Sequence, residues 1–73
     1  MVKVPALARI RAWRLLTQAE LSRRSGVGTN TLSRLEHGGE ATARTVRRLA
    51  RALKVSPYEL MEADPARPPG ADR

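Results

Sequence analysis

Residues 17–38 read TQAELSRRSGVGTNTLSRLEHG, and this stretch decides the fold. Thr17 and Glu20 form the S/T-x-x-E pattern of a capping box, in which each side chain accepts a backbone N–H of the other residue. A helix is therefore expected over 18–25. Gly26 ends it, because the left-handed backbone costs glycine little. Beyond this tight turn, Val27, Leu32 and Leu35 give a second helix, over 29–37, its apolar face at helical spacing. The outward positions of that helix are Thr29, Asn30, Thr31, Ser33 and Arg34. They are short hydrogen-bonding side chains and one arginine, the types that reach base edges in a major groove. Gly38 and Gly39 stop the helix.

Three more helices flank this pair. One is expected from Pro5 or Ala6 to Arg14, with Leu7 and Ile10 inward, since proline is tolerated in a first turn. Another starts near Thr42 or Ala43 and ends at Leu53. Its inner stripe is Val46, Leu49, Ala50 and Leu53, at i, i+3, i+4 and i+7. The last begins with Ser56 as N-cap, Pro57 in first position and Glu59 closing a second capping box, with Leu60 and Met61 toward the core. No strand and no internal repeat is expected. Residues 63–73, ADPARPPGADR, carry three prolines, a glycine and no large apolar side chain. They are expected to form a disordered tail to a single domain over 1–62.

Seventy-three residues allow one domain with a small core. There is no cysteine, so no disulfide or thiolate site, which fits a reducing, cytoplasmic setting. Fourteen basic residues, twelve of them arginine, face seven acidic ones, for a net charge of +7. Asp64, Asp72, Arg67 and Arg73 cancel one another, so the whole charge lies on residues 1–62. Such a balance points to nucleic acid, or less often to an anionic membrane surface. No apolar run is long enough to span a bilayer, and MVKVPALARI lacks a signal-peptide core. One histidine and no cysteine leave no nucleophile–base pair, and no glycine-rich phosphate loop is present. Neither an enzyme, a cofactor nor a small-molecule ligand is expected.

Order and spacing together resemble the Cro/CI-type (Xre) helix-turn-helix domain of phage repressors and small bacterial regulators. The resemblance covers about residues 6–61 and rests on LLTQAEL, SGV, TLSRLEHG and RRLARALKVSPYEL. It implies an all-α, compact five-helix, lambda-repressor-like fold whose third helix, 29–37, is the recognition helix. It implies that Gln18 contacts the DNA backbone and braces that helix. It implies base-facing or groove-facing positions for Thr29, Asn30, Ser33 and Arg34. It also pairs Arg11 with Glu36 in a partly buried salt bridge between the first and third helices. Three positions depart from the family pattern. Leu15 stands where glycine usually ends the first helix, with modest strain if the backbone there is left-handed. Gly28 stands where Ser or Thr often caps the third helix, and Ser25 where a larger apolar residue is common.

Each candidate has a functional and a plain reading. Asn30 suits two hydrogen bonds to adenine N6 and N7, or is a solvated amide. Arg34 suits guanine O6 and N7, a phosphate, or solvent. Thr29 and Ser33 cap, solubilise, or touch a thymine methyl or phosphate. Arg44, Arg47, Arg48 and Arg51 form one basic face opposite the core stripe. Arg48 and Arg51 read as solvated, whereas Arg44 lies at a helix start, which favours a phosphate. Arg9, Arg14, Arg23 and Arg24 add general attraction. Trp13 is offset from the Leu7–Ile10 stripe and is expected half-buried. His37, at a helix C-terminus, reads as a cation there or a phosphate contact, not a metal ligand.

The expected function is a transcriptional regulator, a repressor that binds double-stranded DNA through its third helix. As a homodimer it would meet two half-sites about one helical turn, ~10 bp, apart. The dimer surface is expected around Val55, Tyr58 and Met61. The sequence is equally compatible with a whole small regulator or a trimmed DNA-binding domain. The rival is a protein-interaction module of the same fold, antitoxin-like or coactivator-like, which an exposed apolar patch around Trp13, Tyr58 and Met61 would favour. An RNA-binding protein is a further rival, although the aromatic platform of single-strand readers is missing.

Overall fold

The computed structural model describes residues 1–62. Their elements run β1 (Val2–Lys3), α1 (Leu7–Trp13), α2 (Gln18–Ser25), α3 (Thr29–Glu36), β2 (Glu40–Ala41), α4 (Ala43–Leu53) and α5 (Pro57–Met61). The expectation of a tail over 63–73 lies outside the described residues.

Helix starts follow the local chemistry. Thr17 Oγ1 accepts from the Glu20 N–H at 3.1 Å, and the Glu20 carboxylate accepts from the Thr17 N–H at 2.8 Å. These bonds hold the exposed Glu20 carboxyl below the usual range, the backbone bond to Thr17 being the main cause. Ser56 and Glu59 repeat the device ahead of α5, with Pro57 in its first turn. α4 starts on Thr42, whose Oγ1 accepts from the Thr45 N–H at 3.2 Å.

Four of the five helices, all but α5, end on a residue of positive φ. Leu15, Gly26, Gly38 and Lys54 all have positive φ, at 60°, 76°, 98° and 58°. After α1 the Leu16 N–H reaches the Arg11 carbonyl and the Leu15 N–H reaches that of Ala12. After α4 the Val55 and Lys54 N–H groups reach Ala50 and Arg51 in the same pattern. Both are Schellman endings, built on leucine and lysine where glycine is the usual choice. The left-handed Lys54 has no counterpart in the sequence reading, since nothing in KVSP marks it.

The helices enclose one core. Leu7 and Ile10 of α1, Leu21 of α2, Leu32 and Leu35 of α3 and the full α4 stripe are buried, with Leu60 beneath them. Met61 packs only partly against this core. Glu59 is also buried, which its capping role explains.

Several expectations are corrected. Two short strands exist: β1 pairs antiparallel with β2, Val2 opposite Ala41 and Lys3 opposite Glu40. Strands this short have no readable alternation. They form because Val4, Ala6 and Ala41 are drawn into the core, and because the Ala6 N–H donates to the Leu60 carbonyl at 3.1 Å. Trp13 is not half-buried but 59% exposed. α1 ends at Trp13, and the reversal through Leu15 sends Leu16 into the core in its place. Arg14 and His37 lie just past their helices and close them as C-caps.

Candidate nucleic-acid interface

α3 is amphipathic. With Leu32 and Leu35 buried, Thr29, Asn30 and Arg34 are exposed, and Thr31 and Ser33 are half-exposed. Gly28 caps the helix without a side-chain bond. Its first-turn N–H groups therefore lack a side-chain acceptor.

The helix is braced from behind. The Arg11 guanidinium meets the Glu36 carboxylate through two bonds, Nε to Oε2 at 2.6 Å and Nη2 to Oε1 at 3.1 Å. This forked pairing fixes both distance and plane. Arg11 Nη1 also donates to the Leu16 carbonyl at 2.8 Å. One side chain thus links α1, the turn after it and the end of α3. Gln18 Nε2 donates to Glu36 Oε1 at 3.0 Å, so α2 joins the same carboxylate. Burial would raise the Glu36 carboxyl, but bonds from Arg11 and Gln18 and the nearby cations outweigh it and hold it below its usual range. The bond to Glu36 raises Arg11 in turn, against the effect of burial.

Arg34 is anchored at the far end of α3. Its Nη1 donates to the Glu40 carbonyl at 3.1 Å. Its stem lies against Gly39, where an added Cβ would come within 2.9 Å of Arg34 Cγ and Nη1 and 2.8 Å of the Arg34 carbonyl. Only a glycine allows that approach. His37 Nδ1 donates to the Ser33 carbonyl at 2.7 Å, since a carbonyl can only accept. Arg44 is exposed in the first turn of α4, and Gln18 is the first residue of α2.

The structure therefore joins Gln18 to the end of α3 directly and keeps Thr29, Asn30, Arg34, His37 and Arg44 exposed, on α3, its C-cap and the first turn of α4. Arg14 has a role that the sequence does not disclose. Its Nε donates to the Leu53 carbonyl at 3.0 Å and its Nη2 to that of Lys54 at 3.4 Å, capping α4 from α1. The partners are far apart in sequence, so no local spacing reveals them. Around the expected dimer surface, Tyr58 is 74% exposed. A hollow there, lined by Val2, Val46, Arg47, Pro57, Tyr58 and Met61, is mostly apolar.

Among the described residues no helix is long and apolar enough to cross a membrane. Comparison with curated proteins and with solved structures yields no match. The helix-turn-helix family model matches residues 7–60, from the first residue of α1 into α5. That span contains the capping box, the Gly26 turn, the amphipathic α3 and the Arg11–Glu36 pair. The chain belongs to the helix-turn-helix family of Cro/CI (Xre-like) type, a family of DNA-binding regulators.

Proposed function

We propose that the chain is a sequence-specific transcriptional regulator, a cytoplasmic repressor that occupies a two-fold operator as a homodimer. The observation that carries this reading is the exposed polar face of α3, whose opposite face is held by the Arg11–Glu36–Gln18 network. A base-reading helix must be rigid, because each side chain has to meet a fixed donor–acceptor pattern. Asn30 and Arg34 carry base readout, with Thr29, Thr31 and Ser33 fitting the groove around them. Gln18, His37 and Arg44 meet the phosphates beside it. At the start of α2 the capping box serves Thr17 and Glu20, which leaves the Gln18 and Ala19 N–H groups for a phosphate oxygen. The homodimer uses Tyr58, Met61 and Val55, where exposed aromatic surface lines the apolar hollow beside α5.

The test is a binding selection from random duplex DNA at a stated salt concentration. A palindromic motif with half-sites about 10 bp apart is expected. Recovery of no motif, from a chain that is folded, removes the operator reading and promotes a protein-interaction role for the same fold.

A further inference from the structure

A second charged surface lies at the C-terminal ends of the helices. Arg24, Ser25, Gly26, Arg48, Arg51 and Ala52 line one hollow of about 430 Å³ between α2 and α4. Arg14, Leu16, Arg24, Ala52, Leu53 and Lys54 line another of about 220 Å³. Arg24 and Ala52 belong to both, so the two form one trough with five cationic residues and no carboxylate in its lining. Helix C-termini favour cations, which explains part of this placement. It does not explain why the charges gather around a concave floor.

The rim shows what the trough fits. Arg14 and Leu16 of the lining bracket Leu15, which is 89% exposed and held at φ 60°. Trp13, which precedes Arg14 in the chain, is 59% exposed. A leucine in the left-handed region carries strain that glycine would not, and here it gains no burial in return. Large exposed apolar side chains beside an arginine trough offer nothing to a phosphate backbone. They suit a polypeptide that brings both carboxylates and apolar groups.

We propose that this trough and its Trp13–Leu15 rim form a docking surface for an acidic segment of a partner protein, with carboxylates on Arg24, Arg48 and Arg51 and a large apolar side chain on Leu15 and Trp13. None of Asn30, Arg34 and Arg44 lines either hollow, although Arg48 and Arg51 continue the α4 face that begins at Arg44.

The probe is a fluorescein-labelled synthetic peptide in which glutamates flank a central Leu-Phe pair. An all-glutamate peptide of equal charge and an unlabelled DNA duplex serve as comparisons. The Leu-Phe peptide is expected to bind and to shift the Trp13 indole and the Ser25 and Ala52 amide signals by NMR. The double variant R48E/R51E should weaken it by at least about tenfold. Leu15→Gly should weaken it about fivefold through lost apolar contact, with the fold intact because glycine suits the position. Duplex affinity at low salt should change less than about threefold in Leu15→Gly, which removes no charge. The proposal is overturned if the all-glutamate peptide binds equally well or the shifts centre on α3. It is also overturned if duplex displaces the peptide from the trough, which would assign these arginines to DNA. A failed operator selection leaves this test unaffected, since the peptide is read out without DNA.

Discussion

Arg11 illustrates how one side chain can set the geometry of a surface it does not belong to. The Arg11 side chain is 20% exposed and that of Glu36 7%, so loss of either leaves a largely buried charge short of partners. Arg11→Ala or Glu36→Ala should each cost about 3 kcal/mol, read by thermal or urea unfolding. The pair also makes stability depend on acid. Because the folded Glu36 carboxyl lies below its usual range, its contribution is complete above the unfolded value of about 4.3. It is lost as pH falls through the lower folded value. Wild-type protein should therefore lose stability below about pH 4 more steeply than Glu36→Gln, and equal slopes would show that the pair is not coupled to folding. Leu15 works in the other direction. Replacing it with glycine relieves the left-handed strain against a smaller entropic cost, for a gain of about 0.5–1 kcal/mol in unfolding free energy. The Arg11–Glu36 pair and the strained Leu15 were legible in the sequence through the family resemblance. The bond from Arg14 to the Leu53 carbonyl was not, because only the packed fold brings the end of α1 to the end of α4.

Elements were legible where the chain punctuates itself. α2 begins and ends as read because Thr17, Glu20 and Gly26 act within a few residues of one another. The stripe of α4 survives in full because the period of 3.6 needs no tertiary information. β1 and β2 were illegible, since two-residue strands are created by contacts between distant segments. That small sheet bears on α3, because the carbonyl that holds Arg34 belongs to Glu40 in β2. Gly39→Ala should therefore displace Arg34 and cost about 1–3 kcal/mol through overpacking against a backbone carbonyl that cannot move freely. Unchanged stability together with an unchanged Arg34 environment by NMR would refute this. For α3 itself, Asn30→Ala and Arg34→Ala should each relax the selected motif at one position by about 1–3 kcal/mol. Arg44→Ala should instead weaken all duplexes almost equally. If both α3 variants select the wild-type motif, α3 does not read the bases.

At the scale of the whole molecule the net charge of +7 is expected to set binding strength toward a polyanion. The acidic residues of the described region do not neutralise the surface evenly. Glu20, Glu36 and Glu59 are occupied by caps and by Arg11, whereas most of the arginines remain exposed. The charge that a polyanion meets is therefore arginine on several faces. Duplex DNA releases condensed counterions when such cations replace them, and the release makes affinity fall with salt. If each protomer meets about four phosphates, a dimer frees the counterions of about eight, and the logarithm of affinity should fall against the logarithm of salt with a slope of roughly −7. A monomer on one half-site should give about half that slope. Arg44→Ala should reduce it by about one per protomer, because a phosphate contact is removed, whereas Asn30→Ala should leave it unchanged, because a neutral amide displaces no cation. Titration of an operator duplex at several salt concentrations distinguishes these outcomes. A slope near zero, or one that Asn30→Ala lowers as much as Arg44→Ala, would mean that the division between α3 and the phosphate contacts is wrong.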